Sequence, residues 1–101
     1  MTVSDVAKYV RSKNAGPFWV TVDIFCESEQ EYEILKNSKA ISKAKFAEIY
    51  QVGEDTIKLF FLPHIFAIKV SYPRAMPQGG PDEFDMHSGQ QYIPVLDIEI
   101  I

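Results

Sequence analysis

The chain has 101 residues, 47% of them apolar and 24% charged, the size and mix of one globular domain with its own core. Fourteen acidic against ten basic side chains leave a net charge of −4, which opposes nucleic-acid binding, since that needs a basic face to displace counterions. The single cysteine, Cys26, excludes an internal disulfide framework and a multi-cysteine zinc site, and no apolar run is long enough to span a membrane.

In chain order, Ser4 reads as an N-cap and Asp5 suits a positive helix end. Val6, Tyr9 and Val10 recur at helical spacing, so a first helix is expected to run to about Ser12. Lys13-Asn14-Ala15-Gly16-Pro17 should stop it. Phe18–Cys26, dense in aromatic and β-branched residues, predicts a strand. Ser28 with Glu31 forms a capping box for a helix ending near Asn37, buried through Tyr32 and Leu35. A further helix starts at Ser42, with Ile41 and Phe46 spaced as a hydrophobic staple. After the break at Gly53-Glu54-Asp55, Thr56–Leu62 and Ile65–Tyr72 predict two strands of a hairpin across Pro63-His64. Residues 73–92 hold prolines and glycines without apolar period and predict a long loop, the kind that is usually functional. Pro94–Ile101 predicts a last strand. The order α-β-α-α-β-β-β implies a single α+β domain over residues 1–101, a mainly antiparallel four-stranded sheet with helices on one face.

Strand alternation separates two surfaces. Val20, Val22 and Ile24 share a face with Phe18 and Cys26, and Ile68, Val70 and Tyr72 match them; this face should carry the helices. The other face mixes Trp19, Phe25 and Phe60 with Asp23, Lys58 and Lys69, and also Asp97 and Glu99. A purely solvated surface has no need of such aromatics, so either the long loop or another protein is expected to cover it.

Several groups are candidates for chemistry. Arg11, Lys13, Asn14 and Gly16, placed at a helix end, suit either an anion site for a carboxylate or phosphate, or an ordinary helix C-cap. Asp23 in mid-strand suits an ion pair with Lys69 or Lys58, or a general base. His87 is a candidate proton-transfer group. Glu83, Asp85, His87 and His64 do not fall at a metal-ligand spacing on any element, so neither metal nor cofactor is expected. Cys26 falls on the apolar face and reads as a small core residue.

Three stretches carry a family resemblance: Arg11-Ser12-Lys13-Asn14-Ala15-Gly16-Pro17; Ala67-Ile68-Lys69 leading to Pro73-Arg74; and Asp85 through Gln90-Gln91 to Pro94. The chain resembles a small domain of unknown function, ferredoxin-like in layout, that occurs as the C-terminal part of AtuA-like (acyclic terpene utilisation) proteins or as a separate chain beside them. The resemblance implies an α+β domain working with a larger subunit in breakdown of organic acids or acyl-CoA compounds. It carries over Arg11, Lys13, Asn14, Lys69, Arg74 and Gln90 as candidate site residues. Tyr92 stands where the family often has a histidine, and Ser88 where it has smaller residues.

Two functions follow. In the first, the chain is an accessory subunit that docks on an AtuA-like protein through Trp19, Phe25 and Phe60, with Arg11, Lys13 and Arg74 completing an anion pocket for a carboxylate or CoA thioester; self-association is the other way to cover that face. In the second it is a stand-alone lyase, hydratase or isomerase, with Asp23 or His87 as base and Lys69 and Arg74 stabilising an enolate-like charge. The opening MTVSDVAKY lacks the parts of a secretory signal, so a cytoplasmic location is expected.

Overall fold

Two β-hairpins and a pair of helices make the domain, described here by a computed structural model over residues 1–16, 18–73 and 93–100. A four-residue helix α1 (Val3–Val6) is followed by β1 (Tyr9–Asn14), β2 (Trp19–Phe25), α2 (Glu29–Lys36), α3 (Lys43–Tyr50), β3 (Lys58–Leu62), β4 (Ala67–Pro73) and a short α4 (Ile93–Leu96). The strands form one antiparallel sheet in the order β1-β2-β4-β3. The helices pack on one of its faces, giving the expected α+β, ferredoxin-like layering.

The predicted alternation fixes which face is which. In register, Val10, Ile24, Ile68 and Phe61 form one row across the sheet, and Ser12, Val22, Val70 and Leu59 the next. Val22, Ile24, Ile68 and Val70 are fully sealed, with Leu35 and Phe46 of the helices in the same core. Burial of these side chains is worth about 1.5–3 kcal/mol each. The ring of Tyr50 lies on that of Tyr72 at 3.9 Å between centroids, tying the end of α3 to β4. Burial pushes the Tyr50 hydroxyl above its ordinary range, while its hydrogen bond to Tyr72 acts the other way.

Local chemistry accounts for both long helices. Ser28 accepts from the Glu31 N–H, and Glu31 in turn accepts from the Glu27 N–H. Ser42 accepts from the Lys45 N–H, and α3 ends on Gln51 in the left-handed conformation. The hairpin between β3 and β4 turns through a 3₁₀ segment, Pro63–Ile65, with Phe66 left-handed at its end.

Two expected elements are different. The first helix is only one turn, capped at Thr2, and residues 9–14 are the strand β1. Its inward positions are Val10, Ser12 and Asn14, so the alternation is mostly polar and the spacing of Val6, Tyr9 and Val10 imitates a helix. The last segment is not a strand of the sheet. Ile93–Leu96 is helical, Val95 and Ile98 enter the core three residues apart, and the pairing that follows is an isolated bridge between Thr2 and Glu99. Asp97 and Glu99 are therefore not part of the mixed sheet face. The expected loop at 73–92 lies, beyond Pro73, outside the described residues.

Candidate functional site

The face of the sheet opposite the helices, open among the described residues, gathers most of the predicted site residues. Odd positions of β1, β2 and β4 and even positions of β3 project from it, and the register arranges them in rows. Tyr9, Phe25, Ala67 and Leu62 make one row; Arg11, Asp23, Lys69 and Phe60 the next; Lys13, Thr21, Ser71 and Lys58 the third; Trp19 and Pro73 close the series. Among the described residues the face thus carries four cations against one carboxylate, inside a chain whose net charge is −4.

Its centre is more enclosed than its margin. Thr21 is 3% exposed and Asp23 8%, whereas Tyr9 is 49% and Phe60 46% exposed. The Thr21 and Ser71 hydroxyls are 3.4 Å apart, within hydrogen-bonding distance across β2 and β4. Asp23 Oδ2 lies 3.8 Å from Arg11 Nε, so its ion pair is with Arg11 rather than with the Lys69 or Lys58 expected from sequence. The reason is the corrected β1: as a strand it sets Arg11 directly beside Asp23, while Lys69 flanks the carboxylate from β4.

Aromatic rings hold the long cations down on the sheet. The Arg11 guanidinium sits 5.2 Å from the centre of the Phe25 ring, and that ring stacks on Tyr9 at 4.7 Å. Lys58 Nζ lies 4.7 Å from the Trp19 ring centre. Lys13 and Lys69 make no ion pair among the described residues. Such a surface can pair with carboxylates or other anions while it buries rings, provided its unpaired lysines are matched.

The helix-end anion site is not formed, because no helix ends there. Arg11 and Lys13 share the open face, Asn14 faces the other way at the end of β1, and Gly16 occupies the following turn at φ 91°, where a side chain would be strained. Arg74, His87 and Gln90 lie outside the described residues, as do Glu83 and Asp85. Sequence reasoning missed Tyr9, which belongs to this face. Its signal is the tyrosine–phenylalanine match across the hairpin, which the helical spacing of residues 4–12 hides.

Cys26 is buried, and burial together with Glu31 pushes its thiol up to about 11, so it is a core residue and not a nucleophile. A separate open depression of about 340 Å³ lies on the helix side, where Lys39 and Lys45 are offset by Glu48 and Glu99; it contains none of the predicted site residues. Among the described residues no three His, Cys, Asp or Glu side chains cluster as metal ligands, and no helix is long and apolar enough to cross a membrane.

A small α+β domain with an aromatic, cationic open sheet face is thus the class that fold and surface define. Residues 3–99 match the model of a family described as a domain of unknown function (DUF4387), and the chain belongs to that family. No curated protein and no solved structure matches it.

Proposed function

We propose that this chain is an accessory subunit that docks through its open sheet face on a larger, AtuA-like protein acting in organic-acid or acyl-CoA catabolism. The observation that carries the reading is the row structure of that face: Tyr9, Trp19, Phe25 and Phe60 at its margin, with Arg11, Lys13, Lys58 and Lys69 interleaved. Rings of this kind are the usual anchors of protein interfaces, and charged side chains between them set register and partner choice. Lys13 and Lys69 supply the positive charge for an anion held at the junction, a carboxylate or the phosphate of a CoA thioester. The test is co-expression of this chain with the AtuA-like protein from the same genome. Joint purification is expected, and Trp19→Ala should abolish it; binding unchanged by Trp19→Ala would remove this face from the account.

A second reading draws on the row Arg11–Asp23–Lys69. A carboxylate between two cations suits proton abstraction by a stand-alone lyase, hydratase or isomerase, with Asp23 as base and Lys69 opposite the developing charge. Turnover of a carboxylic-acid or acyl-CoA substrate by the isolated chain, lost in Asp23→Asn, would favour it over the docking role.

A further inference from the structure

The two edges of the sheet are built differently. At one edge β1 alternates charged and small polar residues, Arg11-Ser12-Lys13-Asn14, which discourage pairing with another chain. At the other, β3 reads Lys58-Leu59-Phe60-Phe61-Leu62, four consecutive apolar residues of which none is buried. One side of β3 is taken by β4, and no described strand lies along the other. Phe60 is 46% exposed, and Ile65 in the turn that follows is 48% exposed. An apolar edge strand with unpaired backbone groups is a template for a further strand.

We propose that β3 pairs antiparallel with β3 of a second copy of this chain, about a two-fold axis at Phe60, so that two four-stranded sheets become one of eight. The sequence is self-complementary in that register. Phe60 faces Phe60, Leu59 faces Phe61, and Lys58 faces Leu62, so all five residues pair and no lysine opposes a lysine. Residues that share a face within one copy stay on that face in the pair, which keeps both helix layers on one side. The polar groups at the strand ends also match, since an imidazole N–H can donate to a carboxylate. Antiparallel pairing carries the exposed Glu54-Asp55 of one copy toward the exposed His64 of the other. A foreign partner would need to bring an equally apolar strand, and a second copy already has one. This contact takes Phe60 and Lys58 from the margin of the docking face and leaves Tyr9, Trp19 and Phe25 available, so a change at Trp19 separates the two readings.

Sedimentation of the full chain tests the pairing. The wild type should sediment at twice the chain mass. Phe60→Glu and Phe60→Lys should each sediment as monomers, because each places like charges face to face on the axis. Their equimolar mixture should recover the doubled mass, since the two introduced charges are opposite and meet only in this register. Phe60→Cys should give a covalent dimer under mild oxidation, a readout that does not depend on tolerating a charge, while Trp19→Ala should leave the dimer intact. A monomeric wild type, a mixture that stays monomeric, an oxidised Phe60→Cys that does not cross-link, or a dimer dissociated by Trp19→Ala would each overturn the proposal.

Discussion

On the helix side of the sheet Val22, Ile24, Ile68 and Val70 are sealed from solvent; at alternate positions of the same two strands, the open side presents Trp19, Phe25 and Lys69. The backbone is shared, and only the parity of the position differs. The comparison shows how a small domain keeps stability and recognition apart: stability rests on one set of alternate residues, and the other set, buried at Thr21, Asp23 and Ala67, leaves its margin for contacts. Changes on the two sides should therefore produce different losses.

The largest effect on folding belongs to the sealed side. Ile68→Ala, at a site with no exposed surface, should destabilise the domain by about 2–5 kcal/mol, read as a drop in the urea midpoint. Lys13→Ala on the open side should cost less than about 0.5 kcal/mol, because an exposed side chain outside any ion pair among the described residues contributes little. Equal losses at the two positions would erase the distinction between the faces.

The sealed side also carries one flaw. The Tyr32 hydroxyl is buried and has no hydrogen-bond partner among the described residues. An unmade hydrogen bond of this kind costs about 1–3 kcal/mol, so Tyr32→Phe should raise thermal stability by about 1 kcal/mol. A fall of similar size would mean that the hydroxyl is satisfied in solution.

A smaller effect appears at alkaline pH. The Cys26 thiol is raised from 9.0 to about 11 by burial, so the unfolded chain gives up this proton before the native one does. The associated stability is complete below pH 9 and is lost as pH rises toward 11. Cys26→Ala should flatten that part of the decline in the urea midpoint, leaving the contribution of the raised Tyr32 and Tyr50 hydroxyls. An unchanged slope would show that Cys26 is not the group responsible.

The strongly patterned elements were legible in the sequence. β2 and β4 combine β-branched residues with a clear alternation, and the two serine-capped helices announce their own starts. Two errors arose where periodicity was ambiguous. In residues 9–14 only Val10 is an apolar inward residue, while Ser12 and Asn14 take the other inward positions, so helical spacing with Val6 was the stronger signal. In residues 94–101 an alternating apolar pattern suggested a strand, but Val95 and Ile98 are the residues that reach the core. The first error also misplaced Arg11. Its residue type is legible, yet its partnership with Asp23 depends on a strand pairing that one segment alone does not reveal.

The most direct test of the docking surface uses the single tryptophan, which lies on it. With 5-fluorotryptophan incorporated into this chain alone, the fluorine spectrum contains one resonance, from position 19. Titration with the larger protein proposed above should shift or broaden that resonance in step with complex formation. A complex that forms while the signal stays unmoved would contradict the account.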